Sequence, residues 1–111
     1  MIDEQIALAR RAVACPKWRW MPGMKITTGL RLSESLVPFT FPVDLPDLSD
    51  PATIGCLLAL VREAYADLRL VVRWDVVSRR WETVSRYRLY GDAESEAEAL
   101  VAALEAATDG R

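Results

Sequence analysis

The segment from Asp50 to Tyr65 limits the folds open to this chain more than any other stretch. Asp50 can accept from the free backbone amides of a helix's first turn, and Pro51 suits the first helical position, where no amide is needed. Ile54, Leu57, Leu58, Val61 and Tyr65 then recur at helical spacing. Leu60 widens the stripe until the middle of the helix is apolar on most sides. Such a helix must be covered, so the rest of the chain has to supply packing faces around it. Gly55 in the first turns costs up to about 1 kcal/mol against alanine, which predicts close packing there.

The flanking segments read as follows. Ile2, Ile6, Ala9 and Val13 mark one face of a first helix from Asp3 to Ala14. Pro16 disfavours helical geometry at Cys15 and ends it. Lys17 to Met24 is aromatic and extended, broken by a Pro-Gly turn signal. Lys25–Thr28 and Leu30–Ser33 read as short strands around Gly29, a first hairpin. Pro38 to Pro51 carries four of the six prolines and reads as an acidic loop, with Phe39 to Phe41 a candidate edge strand.

Leu70, Val72, Trp74 and Val76 alternate with Val71, Arg73, Asp75 and Val77, and Trp81 to Tyr90 alternates again, which makes a second hairpin. The turn between the two carries no glycine, asparagine or proline, so its type and the strand register stay open. Ser95-Glu96-Ala97-Glu98 is a capping box, and Leu100, Val101 and Leu104 form the stripe of a last helix that Gly110 follows. The predicted class is α+β: a small antiparallel sheet with packed helices, in the order α-β-β-α-β-β-α. Its 111 residues suit one domain, 1–111.

Hydrophobic residues make up 51% and charged residues 27%, enough apolar surface for a core without a metal or disulfides. There is no histidine, which removes Ser-His-Asp and Cys-His nucleophile systems, His-ligated zinc and the usual neutral-pH general base. Cys15 and Cys56 lie in apolar helical patterns and read as buried free thiols of a reducing compartment. No Gly-rich phosphate loop is present. The acidic start, Met1 to Gln5, lacks the features of a secretory signal, and the apolar run Ile54–Val61 is far shorter than the ~20 residues a membrane helix needs. A cytoplasmic protein without cofactor, bound metal or membrane contact is expected.

Three features are candidates for function. Arg69, Arg73, Arg79, Arg80, Arg86 and Arg88 fall in the second hairpin with Trp81, Tyr87 and Tyr90, while Asp92, Glu94, Glu96, Glu98 and Glu105 follow. Arginine grips phosphate bidentately and aromatic rings stack on bases, so Arg73, Trp81, Arg86 and Arg88 form a candidate surface for an anionic nucleotide. The plainer alternative is a solvated strand face. In Trp18-Arg19-Trp20, two tryptophans at i and i+2 share a face if extended, and either clamp a flat ligand or cap the core. Asp44, Asp47 and Asp50 share a loop and either help hold a hard cation or serve as turn and cap residues, and no calcium-loop spacing is present.

Leu8–Cys15 running into Trp18-Arg19-Trp20-Met21-Pro22-Gly23-Met24, the stretch Leu45–Ala64, and Glu96–Ala106 together resemble a group of small phage- and prophage-encoded proteins. The stretches cover a little under half of the chain, and the last is generic to alanine-rich capped helices. The group often carries an aromatic-Gly-Asp-Pro turn after the central helix, where this chain has Tyr65-Ala66-Asp67-Leu68. The resemblance transfers no activity and no catalytic residue; it implies a phage origin and a role in the host bacterial cytoplasm.

The expected function is therefore a non-enzymatic accessory protein that binds and blocks or sequesters a host factor, either a defence protein or an anionic nucleotide signal. Trp18, Arg19, Trp20, Arg73, Trp81, Arg86 and Arg88 are the candidate contact residues, and a homodimer is possible. The alternatives are a self-associating assembly protein using apolar surface around the central helix, and an enzyme working through carboxylates or a metal.

Overall fold

The computed structural model describes residues 2–86 and 88–107. Its regular elements run α1 (Asp3–Ala14), α2 (Pro51–Ala64), β1 (Val71–Asp75), β2 (Arg80–Ser85), β3 (Arg88–Ala93) and α3 (Glu96–Ala106). The α+β class holds, but the strand order differs from α-β-β-α-β-β-α at both hairpins.

The expected first hairpin, Lys25–Thr28 with Leu30–Ser33, makes no strands. A single bridge pairs Lys25 with Arg31, and a second pairs Ile26 with Pro46. The Leu32 amide donates to the Met24 carbonyl, and the Ile26 amide donates to that of Leu30 across Gly29, whose φ is +101°. On the side away from Arg31 the Lys25 backbone is engaged elsewhere: its amide donates to the Thr53 hydroxyl of α2 at 2.9 Å and its carbonyl accepts from the Asp47 amide at 2.8 Å. Phe39–Phe41 is not an edge strand either: Val37–Phe39 forms one 3-10 turn with Pro38 inside it.

In the second hairpin the expected single strand Trp81–Tyr90 divides. β2 ends at Ser85, Arg86 takes a left-handed φ of +52°, and β3 starts at Arg88. The result is a three-stranded antiparallel sheet, β1-β2-β3, in which Trp74 faces Trp81 and Thr83 faces Gly91. A bulge between Thr83 and Val84 inserts Tyr90 as an extra residue of β3. The β1–β2 turn works without glycine because Asp75 caps it. Its carboxylate accepts from the Ser78 amide at 3.1 Å and its carbonyl from the Arg79 amide at 2.8 Å, with Arg79 at φ +58°.

α1 has its predicted bounds and stops at Cys15, whose backbone is extended. Its fully buried residues are Ala9 and Ala12, while Ile2 is exposed, so small side chains let the helix approach the core closely. α2 is capped as predicted: Asp50 accepts from the Thr53 amide at 3.0 Å. The same carboxylate takes both terminal nitrogens of Arg31, at 2.8 and 2.9 Å, and Arg31 also donates to the Gly23 carbonyl. One aspartate thus joins the helix cap to the irregular segment before it. Gly55 is exposed with open space around its α-carbon, contrary to the close packing predicted there.

α3 is capped by Ser95, which accepts from the Glu98 amide. Ala99, Leu100, Val101, Ala103 and Leu104 are all fully buried, so this short helix is enclosed on most sides by the sheet, α1 and α2. It lies backbone to backbone on β3 at Gly91. A Cβ there would stand 2.8 Å from the Ala103 nitrogen and 2.9 Å from the Ala99 oxygen. Leu57, Leu60, Val61, Leu70, Met24, Leu100 and Leu104 complete the core. Cys15 and Cys56 are free thiols, the first buried and the second half-buried.

Two outcomes are expected. Gly91→Ala forces α3 off the sheet and destabilises the fold by at least ~2 kcal/mol in urea unfolding, the scale of overpacking a rigid core. Wild-type stability in that variant would mean the contact is looser than described. Second, the Arg31 guanidinium beside Asp50 holds its carboxyl far below the ordinary 3.8. A depressed folded pKa gives stability that is present above the unfolded value and lost as pH falls towards the folded one. The melting-temperature gap between wild type and Asp50→Asn is therefore constant at neutral pH and narrows below about pH 4. A gap that does not change down to strongly acidic pH would remove the ion pair from the account.

Candidate anion-binding site

After α2 the chain must turn sharply to enter β1. The Ala66 and Asp67 amides donate to the Glu63 and Arg62 carbonyls, and Ala66 adopts a φ of +51°. Ala66 therefore holds the left-handed conformation that glycine favours at a helix end. Asp67 follows and is fixed twice: one carboxylate oxygen accepts from the Arg69 amide at 3.0 Å, the other from the Tyr90 hydroxyl at 2.9 Å. The bulge in β3 is what brings Tyr90 to this bond.

This connection and the β2–β3 turn enclose a concavity of about 620 Å³, lined by Asp67, Arg69, Ser85, Arg86, Arg88 and Tyr90 with Ala66 and Leu68. The Arg88 guanidinium lies 4.7 Å from the centre of the Tyr90 ring and 5.7 Å from that of Tyr65. The two rings pack at 4.3 Å, and Tyr65 donates its hydroxyl proton to the Ala103 carbonyl of α3 at 2.8 Å. Arg88 is thus held over an aromatic pair by cation–π attraction rather than by a carboxylate.

The electrostatics set this place apart. Arg11, Arg19, Arg31, Arg73 and Arg80 each meet a carboxylate within 4 Å: Glu105, Glu63, Asp50, Glu82 and Asp92. Among the described residues Arg10, Arg62, Arg69, Arg79, Arg86 and Arg88 meet none, and three of these, Arg69, Arg86 and Arg88, line the concavity. Asp67 is the one carboxylate there among the described residues. The Ser85 hydroxyl, helped by the Tyr90 hydroxyl and by Arg86 and Arg88 nearby, holds it below the usual range. Burial and the Asp67 acceptor raise the Tyr90 phenol. Among the described residues the site sets three arginines against one carboxylate, an arrangement that attracts phosphate or carboxylate groups.

Of the seven contact residues expected from sequence, the structure brings Arg86 and Arg88 into this concavity. Arg73 pairs with Glu82, its cross-strand neighbour, and Trp81 packs edge-on against Trp74 at 5.9 Å. Trp18 and Trp20 meet at 5.4 Å with their rings 83° apart, half-buried against the core, so they do not form a parallel clamp. Among the described residues the buried Trp18 indole N–H has no acceptor. Arg19, beside them, donates to Glu63 at 2.6 Å. Tyr87 lies outside the described residues, as does Gly110.

Asp67, Ser85, Arg69 and Tyr90 are the additions. Arg69 and Tyr90 already belonged to the arginine and aromatic cluster, whereas nothing local marks Asp67 or Ser85. The acidic loop resolves into turn and cap duties: Asp44 accepts from the Phe41 amide, Asp47 from the Ser49 amide and Asp50 from Thr53. Among the described residues no three His, Cys, Asp or Glu side chains gather to hold a metal ion, and no helix is long and apolar enough to cross a membrane. A larger depression of about 950 Å³ by α1 and the start of α3 is lined by Glu4, Glu94, Glu96 and Glu98, and its Arg11 is already paired.

No known family model, curated protein or solved structure matches this chain. The class established is an α+β fold with a cationic concavity at one end of its sheet, and the chemistry of that site rests on its own residues.

The Asp67–Tyr90 bond has a direct test. In Tyr90→Phe the Asp67 carboxyl titrates at higher pH than in wild type, though still under its ordinary 3.8 because Ser85 and the arginines remain. Carboxyl carbon NMR reads this shift, and an unchanged titration would mean the phenol does not donate to Asp67.

Proposed function

We propose that this chain is a non-enzymatic phage or prophage accessory protein that binds and sequesters an anionic nucleotide in the host bacterial cytoplasm. One observation carries the reading: of the six described arginines that meet no carboxylate within 4 Å, three line one concavity. Uncompensated like charges repel one another, and a bound phosphate relieves that repulsion. The volume falls in the range of about 300–1,000 Å³ used for small ligands. Arg88, held on the Tyr65–Tyr90 pair, is already positioned, which lowers the ordering cost of binding.

Among the described residues the concavity holds one carboxylate, already bonded to Tyr90, and the chain has no histidine, which favours binding over catalysis. The phage origin rests on the resemblance of the Trp18–Met24 and Leu45–Ala64 stretches. A second reading, a blocker of a host defence protein, is favoured by a different feature: Phe39, Phe41 and Val43 are largely exposed on one loop, as anchors for a protein partner are. Assembly through apolar surface of α2 has less support, since Leu57, Leu60 and Val61 are already buried.

Isothermal titration of the full chain with ATP and with a cyclic dinucleotide, inorganic phosphate serving as control, tests the nucleotide reading. Binding of at least one nucleotide is expected, weakening as salt rises. Arg86→Ala with Arg88→Ala should weaken it at least ~10-fold, since a hydrogen bond to a charged group contributes about 1.5–3 kcal/mol, while Arg73→Ala leaves it unchanged. No binding of either nucleotide, or binding indifferent to the arginine changes, would overturn the reading.

A further inference from the structure

β1 is an edge strand whose outer side is open. It pairs only with β2, and among the described residues no other group bonds to the backbone of Val71 to Trp74. Natural proteins usually blunt such an edge with proline, a bulge or a covering segment. Among the described residues none of these is present at β1, and only the charges of Arg73 and Asp75 interrupt its apolar run. The edge instead displays apolar side chains: Val71 is 41% exposed, Trp74 46%, and in the adjoining turn Val76 is 76% and Val77 88%.

The order of these residues suggests what covers them. Val71-Val72-Arg73-Trp74-Asp75-Val76-Val77 reads the same in both directions about Trp74, except that arginine on one side answers aspartate on the other. We propose that β1 pairs antiparallel with β1 of a second copy about a two-fold axis through Trp74, joining two three-stranded sheets into one of six strands. Residues facing each other across antiparallel strands lie on the same face of the sheet, so when a strand pairs with its own copy the register must centre on a residue. Centring on Arg73 sets arginine against arginine, and centring on Asp75 sets aspartate against aspartate, both destabilising. Centring on Trp74 sets Arg73 opposite Asp75 of the second copy twice over, with Trp74 against its own copy. It also places Val71 and Val72 beside the turn valines, Val77 and Val76, of the other chain.

The present contacts of these side chains leave room for this. Arg73 reaches Glu82 only at 3.8 Å with its side chain 62% exposed, and Asp75, whose carboxylate is held by Ser78 and the Val77 amide of the turn, stays only partly buried. The symmetry is closed and isologous, so it gives a dimer rather than a fibre. Both helical layers lie on the same side of the joined sheet. The inference is independent of the nucleotide reading, because none of Arg73, Trp74 or Asp75 lines the concavity.

Sedimentation equilibrium of the full chain from micromolar to millimolar concentration is the test, with circular dichroism confirming the fold of each variant. Wild type is expected to form a dimer. Arg73→Glu faces Asp75 with a like charge at both symmetric positions and should weaken self-association at least ~10-fold, the effect of ~1.4 kcal/mol. Arg73→Glu combined with Asp75→Lys reverses both charges and should restore the dimer. Because Asp75 also caps the β1–β2 turn, a second measurement guards against misfolding of the double variant. With Cys15 and Cys56 replaced by serine, Trp74→Cys should give a disulfide-linked dimer on mild oxidation, and Leu89→Cys on the opposite edge strand should not. A wild type that stays monomeric, a dimer indifferent to Arg73→Glu, or capture at Leu89 as efficient as at Trp74 would overturn the proposal.

Discussion

The contact between α3 and the backbone of β3 at Gly91 is the constraint on which the rest of the molecule depends. A three-stranded sheet has little surface of its own to bury, and one short helix covers it here. That works because glycine at 91 and alanines at 99 and 103 let two backbones meet without intervening side chains. α3 then offers its remaining sides to α1 and α2. Arg11 of α1 reaches Glu105 at 2.7 Å, and Tyr65 at the end of α2 donates to the Ala103 carbonyl. The Tyr65 ring on which Arg88 rests is therefore positioned by the same helix that closes the core.

Backbone strain and unpaired charge fall in the same place. Three non-glycine residues among those described have left-handed φ values, Ala66, Arg79 and Arg86, and two of them line the concavity. Each such residue costs about 1 kcal/mol or more. Three cations held together without carboxylate partners add self-repulsion. Natural chains keep such violations of local preference chiefly where binding repays them. Elsewhere the chain is conservative: its other ion pairs link neighbouring elements, as Arg31 links the 23–31 segment to the cap of α2.

The cationic concavity and the acidic, apolar segment before it divide the sequence as well. From Leu32 to Val61 there is no lysine or arginine, and Phe39, Phe41 and Val43 stand exposed within that span. Eight of the twelve arginines come after it, and three of them line the site. The molecule therefore presents two chemically distinct surfaces.

Sequence by itself determined the three helices. Periodicity, Asp50, Ser95 and Pro16 act within a few residues of the backbone groups they satisfy or remove, so helix bounds are local matters. It also placed Arg86 and Arg88 beside aromatic residues. What it could not determine was pairing. The Lys25–Ser33 hairpin has the right composition, yet only one bridge forms there, and Lys25 turns its amide to the Thr53 hydroxyl and its carbonyl to Asp47, both far along the chain. Trp81 to Tyr90 alternates like one strand, yet the left-handed Arg86 divides it, a turn that no glycine or proline announces. Asp67 and Ser85 join the site only because a helix end and a sheet turn meet there, and Arg73 leaves it because its strand register sets it opposite Glu82. Local hydrogen-bonding needs are written in neighbouring residues, whereas register, charge pairing and the convergence of side chains are set by contacts between segments that only the packed fold brings together.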